Sequence, residues 1–237
     1  MATNTSESQH FNVLTSLSSR ISGFDEFPQV LLETSSVLES IIKVDKLILA
    51  ISRNESEFDI FEYESGRHKR KTWTSQGTAL RASMDDRAPV IEPILGKYSQ
   101  FFDMRELHSE GYGSCAVFPI SPKEHLGAVA FVFRKNDSFD DKQALLGAVA
   151  GLLGPTIKSV LLSRSLNETN SLGNTVFENS SDAVIVVNPL DDGIHSVNQK
   201  ASDFFDLPSE SLLKKNIHDL FPDPEELKKR FSKVKGG

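Results

Sequence analysis

Apolar residues at Phe11, Leu14, Leu17 and Ile21 recur every three or four positions, which predicts an amphipathic helix ended by Gly23. Residues 1–9 before it are small and polar and are expected to form a flexible N-terminus. A second helix is expected next, with Phe27, Val30, Leu31, Leu38, Ile41 and Ile42 on its buried side and Pro28 in its first turn. The pattern then changes. "KLILAISRN" reads as a buried strand, and "EFDIFEYES" mixes Phe58, Ile60, Phe61 and Tyr63 with charge. Gly66 marks a turn, and "RHKRKTWT" returns as the partner of a hairpin with one wet face.

Further on, "GTALRASMDD" predicts a short helix over residues 78–86, followed by a loop and an extended piece at 89–91. "YSQFFDMRELHSEGYG" fits either short helices or an ordered loop. "SCAVFPI" and "HLGAVAFVFR" read as strong strands joined by a turn at 121–124 that contains Pro122. "SFDDKQALLGAVAG" opens a long apolar helix, with Ser138 or Asp140 as its expected N-cap. Leu146, Val149, Leu153, Ile157 and Val160 give it a buried side. "SRSLNETNSLGN" then turns polar, so the helix is expected to end near Asn170 and to break at Gly173. Last come a strand in "DAVIVVNP", a turn at "DDG", a second strand in "GIHSVNQ" and a helix in "KASDFFDL".

Composition narrows the class. Hydrophobic residues make up 38% and charged residues 25% of 237, as in a soluble globular protein of one large or two small domains. The net charge of -7 gives no bulk attraction to nucleic acid or to an anionic membrane. Cys115 is the single cysteine, so no intrachain disulfide forms and a reducing, cytoplasmic setting is expected. The stretch 144–162 has the length of a membrane span. Lys158 and Pro155 lie inside it, however, and a buried helix is the expectation.

Taken in order, these elements resemble a GAF domain over residues 10–166. The resemblance is carried by "GTALRASMDDRAPVIEP", by "EGYGSCAVFPI" and by "HLGAVAFVFRKNDSFDDKQALLGAVAGLLGPTI". Residues 167–173 then read as a helical linker, and 174–237 resemble the N-terminal part of a PAS domain. That second likeness rests on "VFENSSDAVIVVNPLDDGIHSVNQKASDFFDLPSESLLKKNIHDLFP". Asn198 stands at the strand-to-helix corner, where its side chain is expected to cap the next helix. The fold class expected is α+β: an antiparallel sheet flanked by helices, a long linker helix and a truncated PAS-like α/β unit. The PAS resemblance implies three more strands, and the sequence after "NIHDLFP" offers no candidates for them.

Chemistry-bearing patterns are few. No two of the histidines at 10, 68, 108, 125, 195 and 218 have metal-ligand spacing, and there is no phosphate-binding Gly-rich loop or Gly-X-Ser-X-Gly elbow. "KNDSFDDKQ" has the wrong order for the cyclic-nucleotide signature that some GAF domains carry. Cys115 reads as a small core hydrophobe in preference to a reactive thiol, and no cofactor is named. "GRHKRKTW" and the basic tail "KKRFSKVK" read as solvated faces in preference to nucleic-acid contacts.

The GAF resemblance implies a ligand pocket, with Trp73, Leu80, Met84, Phe101, Phe102 and Cys115 as candidate lining. Ile185, Phe204 and Phe205 are the counterparts in the PAS-like part. All nine equally suit plain core packing.

The expected function is a non-catalytic sensory input module. It would sense a small molecule or partner and relay the signal through helices to a downstream output domain, as in two-component systems. The rival readings are the regulatory portion of a histidine kinase, nucleotide cyclase or phosphodiesterase, and the input region of a transcriptional activator. A parallel homodimer is expected through the 11–21 and 146–160 helices, where Gly147, Gly151 and Gly154 leave a small-residue strip.

Overall fold

The computed structural model describes residues 2–121 and 123–221. The chain forms two compact units that part between Arg164 and Ser165. In the first, α1 (Ala2–Ile21) and α2 (Phe27–Leu38) precede the strands β1 (Lys46–Ser52), β2 (Glu57–Glu64) and β3 (Arg67–Thr74). Then come α3 (Ala79–Asp86), β4 (Val90–Glu92), α4 (Phe102–Ser109), β5 (Ser114–Ile120), β6 (Gly127–Phe133) and α5 (Gln143–Glu178). The six strands form one antiparallel sheet in the order β3-β2-β1-β6-β5-β4.

Both faces of the sheet are covered, which is why β1 and β6 read as near-continuous apolar runs. Leu47, Leu49 and Ile51 point to one side with Val129 and Phe131, and α1, α2 and α5 pack on them. Ile48 and Ala50 point to the other side with Cys115, Val117 and Ala130, beneath α3 and α4. Each fully buried Leu, Ile or Phe contributes roughly 1.5–3 kcal/mol. The β2–β3 hairpin turns at Ser65 and Gly66, whose φ angles of 48° and 79° are those of a type I′ turn.

Three expectations are corrected. First, α1 begins at Ala2, so residues 2–9 of the stretch expected to be flexible are helical, and they contain no Gly or Pro to break a helix. Second, α5 is capped by neither Ser138 nor Asp140. Those residues belong to a preceding turn in which Phe139 takes φ 65° and its carbonyl accepts the N–H groups of Lys142 and Gln143. The Asp137 carboxylate accepts the Phe139 N–H and pairs with Lys142, which fixes that turn. Third, α5 passes both Asn170 and Gly173 and ends at Glu178. One helical Gly costs only about 1 kcal/mol, and a polar surface does not stop a helix.

α5 is the one described helix long and apolar enough, by length and composition, to cross a membrane. Here Leu146, Val149, Leu153, Ile157 and Val160 are buried in the core of the first unit. Pro155 sits on its exposed side, so the Gly151 carbonyl it leaves without an N–H faces solvent.

In the second unit, β7 (Ile185–Val187) and β8 (Ile194–Val197) pair antiparallel with a bulge at Val186/Val187. The helices α6 (Gln199–Phe205), α7 (Ser209–Leu212) and α8 (Ile217–Leu220) follow. Ile194, Val197, Ala201 and Leu212 form its small core. The basic tail "KKRFSKVK" lies outside the described residues.

Candidate functional site

The outer face of the sheet carries charges where a core would carry only apolar side chains. Lys46, at the start of β1, is 5% exposed, and Glu62 of β2 is 6% exposed. The Lys46 ammonium lies 3.2 Å from Glu62 and donates to Glu110, just past the end of α4, at 2.9 Å. Lys71 of β3 reaches the other Glu62 oxygen at 2.7 Å and Glu106 of α4 at 3.7 Å. Register explains the geometry: Glu62 sits opposite Ile48 and Lys69, so both of its lysines approach from diagonal positions.

Burial works against the Lys46 charge, but the Glu110 hydrogen bond and the Glu62 carboxylate outweigh it and hold the ammonium above its ordinary range. Burial likewise opposes the Glu62 charge, and Lys71 and Lys46 together hold that carboxyl below the usual carboxylate range. Beside them, the Tyr112 hydroxyl is pushed up by burial and by its hydrogen bond to Glu64.

Asp103, 4% exposed, belongs to the same face of α4. Its carboxylate accepts the N–H groups of Ala79 at 2.8 Å, Leu80 at 3.2 Å and Met104 at 3.0 Å, so it ties α4 to the start of α3. Burial outweighs these bonds and pushes its carboxyl above the ordinary range. Thr78 caps α3 from within, accepting the Arg81 N–H. Asp103, Glu106 and Glu110 are spaced three and four apart, which places all three on one side of α4 and over the sheet.

Beneath this charged roof lies a pocket floored by Ile48, Leu80, Cys115, Val117 and Ala130, with Trp73 at its side. Its free volume is ≈ 10 Å³, room for about one water. Of the candidates read from sequence, Trp73, Leu80 and Cys115 line it. Met84 and the half-buried Phe101 pack into the surrounding core without lining it. Phe102 is 43% exposed and meets Trp73 edge-on at 5.6 Å. Cys115 is fully buried and burial pushes its thiol well up, the state of an unreactive core cysteine. The charged residues of the roof were not singled out in the sequence. The acidic spacing in "FDMRELHSE" places the three acids of α4 on one side, and no local signal marks Lys46, Glu62 or Lys71 as their partners.

In the second unit Ile185 and Phe205 pack against the small core, while Phe204 is exposed and contacts Phe205 edge-on at 5.0 Å. Asn198 is fully buried. Its Oδ1 accepts the N–H groups of Val184 and Ala201, both at 2.9 Å. Its Nδ2 donates to the carbonyls of Phe177 at 3.0 Å and Asp182 at 2.9 Å. The expected helix cap is present, and it also pins β7 and the end of α5.

Solved structures share the architecture of the first unit. The GAF domain of a phosphoenolpyruvate-protein phosphotransferase from Coxiella burnetii superposes with a TM-score of 0.56 at 14% identity, covering 66% of this chain and 97% of that one. The GAF domain of a two-component sensor histidine kinase from Bacillus halodurans does so with a TM-score of 0.51 at 18% identity, over 59% and 99%. The first unit has the GAF fold. A free methionine-R-sulfoxide reductase from Neisseria meningitidis, solved with its substrate, shares that fold with a TM-score of 0.52 at 13% identity, over 65% and 91%. Residues 174–235 match the PAS domain family. No curated protein sequence matches the chain.

The ion pairs of the GAF unit set its pH dependence. The lowered Glu62 and Asp137 carboxyls contribute stability that is present above about pH 4.3, the ordinary glutamate value, and lost as pH falls through their depressed values. The raised Lys46 contributes stability that is present below about pH 10.4 and lost as pH rises through its own higher value. The raised Asp103 acts in the opposite sense, costing stability as it ionises. Urea midpoints measured against pH are expected to show a plateau falling at both ends, and Glu62→Gln is expected to flatten the acid limb.

Proposed function

We propose that this chain is a non-catalytic sensory input module whose GAF unit takes up a small molecule between the sheet and α3–α4. One observation carries the reading: a cluster of charges centred on the buried Lys46–Glu62 pair roofs an apolar pocket. Buried charges are costly unless paired, so a ligand that re-pairs them gains differential affinity for a second arrangement of α4. With room for about one water, anything larger enters only if α4 moves, and Asp103, Glu106 and Glu110 move with it. The GAF and PAS likenesses support a place in signal transduction, upstream of an output domain.

Trp73 is the only tryptophan, lines the pocket and carries the Lys71 ammonium 4.5 Å above its ring. Its emission therefore reports on pocket occupancy. Titrating a panel of amino acids, organic acids and nucleotides is expected to yield a compound that shifts Trp73 emission and raises the melting temperature. Lys46→Met is expected to remove both effects. A panel that leaves the emission unmoved would transfer the input to a protein partner.

The relay we propose is a parallel homodimer. The strip of three glycines does not serve it. A Cβ at Gly147 would meet the Phe118 ring at 3.3 Å and one at Gly154 the Ser121 hydroxyl at 2.9 Å, so both let α5 approach β5 and the turn after it. The apolar positions buried in α1 and α5 are likewise taken up within the unit. What remains open is Phe11 on α1 and Leu162, Leu166, Leu172 and Val176 on α5, the last four within about 120° of one another at 100° per residue. Light scattering is expected to give a dimer for the chain and a monomer for Leu162→Glu/Leu166→Glu; a monomeric parent would remove the relay.

A further inference from the structure

Apart from Lys71, the basic residues of β3 are unused by the pocket and lie at the rim of the sheet. β3 pairs with β2 alone and ends the strand order, so its outer edge has no strand partner among the described residues. The Ser75 N–H bonds the Ser56 carbonyl at 2.8 Å. Antiparallel pairs alternate, so Arg67, Lys69, Lys71 and Trp73 turn their backbone groups in to β2. His68, Arg70 and Thr72 therefore turn their N–H and C=O groups outward.

An added strand would send alternate side chains to the two faces of the sheet, and a groove lies on each side of β3. One, of ≈ 350 Å³, is lined by Glu62, Glu64, Ser65, Arg67 and Lys69. The other, of ≈ 280 Å³, includes His68, Lys69, Arg70 and Arg164 with the carboxylates Glu26 and Glu62, so its cations outnumber its acids. The carboxylates in the first groove are already paired, Glu62 with Lys46 and Lys71 and Glu64 with Arg134. Arg67 and Lys69 have no carboxylate partner among the described residues. Two copies of this edge would bring Arg67, Lys69, Arg70 and Lys71 against themselves, which excludes a second β3 as the occupant.

We propose that β3 is a docking edge for an extended acidic segment of a partner protein, which adds as a strand and places carboxylates in both grooves. Backbone pairing supplies the affinity and the cations supply the selectivity. The segment is recognised by its charge and its free backbone N–H groups, and the site shares only Glu62 with the pocket under α4.

The test uses the full chain and a fluorescent peptide of repeating Glu-Glu-Thr-Thr, which as a strand presents Glu on both faces, read by anisotropy at low salt. A second peptide of equal charge carries Pro at every third position and cannot form a ladder, and a single-stranded DNA of equal charge is the third probe. The expected result is binding of the first peptide, weakened about tenfold or more by Arg67→Glu/Lys69→Glu and about as much by the prolines. Both substituted residues are exposed and outside the core, so circular dichroism of the variant is expected to match the parent. Amide exchange at His68, Arg70 and Thr72 is expected to slow in the complex. Equal binding of the Pro-containing peptide, tighter binding of the DNA, no binding of the Glu-Thr peptide, or unchanged exchange at those amides would each overturn the proposal.

Discussion

Asn198→Ala is expected to unfold the PAS unit while leaving the GAF unit folded. The substitution removes the acceptor for the Val184 and Ala201 N–H groups and the donor to the Phe177 and Asp182 carbonyls, all inside the unit. Each hydrogen bond lost from this part-buried network costs about 0.5–1.5 kcal/mol, so the four together cost about 2–6 kcal/mol. The core that must absorb the loss consists of Ile194, Val197, Ala201 and Leu212, with a few half-buried neighbours. Such a small core has little surplus. Amide exchange is expected to rise across β7, β8 and α6 and to stay unchanged in β1 and β6. Asn198→Asp keeps the acceptor but sets a charge against two carbonyls, and it is expected to recover only part of the loss.

Asp103→Ala is expected to be the most damaging single change in the GAF unit outside its apolar core. It leaves the buried N–H groups of Ala79, Leu80 and Met104 without acceptors and frees α4 from α3. The expected loss is about 3 kcal/mol or more, read as a fall in the urea midpoint at constant slope. Asp103→Asn retains an oxygen for the Ala79 and Met104 N–H groups and sheds a charge that burial already disfavours, but sets its NH2 against the Leu80 N–H, so its cost is expected to be smaller, about 1–2 kcal/mol. A similar cost for both variants would mean that the position matters through shape alone, and that α4 is not tied down by this carboxylate.

Much of this architecture is legible in the sequence because it is written in local patterns. β1, β2 and β3 stand out through β-branched and alternating residues, and the turn at Ser65 and Gly66 through its glycine. Asn198 is legible for the same reason: a helix cap acts within three residues of itself. α4 is harder to read, since only Met104 and Leu107 are apolar and buried among charges. Its acidic residues look solvated until the sheet beneath them is known to present Lys46 and Lys71.

The roof of the pocket is illegible for a different reason. Lys46, Glu62, Lys71 and Glu110 are brought together by strand register and helix placement over long separations, and no short motif encodes that. The far end of α5 is misjudged because composition marks exposure, not helix ends. Leu162, Leu166, Leu172 and Val176 lie within the helix while facing outward. The glycines of α5 show the same limit: spacing alone suggests a helix partner, and only the contacts reveal that two of them face Phe118 and Ser121.

The central claim is that a ligand enters beneath α4 by loosening its charged ties to the sheet and to α3. The most direct measurement is amide exchange at Ala79, Leu80 and Met104, with and without the compound that moves Trp73 emission. The account predicts that exchange at all three changes on binding, in step with the emission, and that Lys46→Met abolishes the response. Exchange that stays constant at these amides while the compound binds would contradict it.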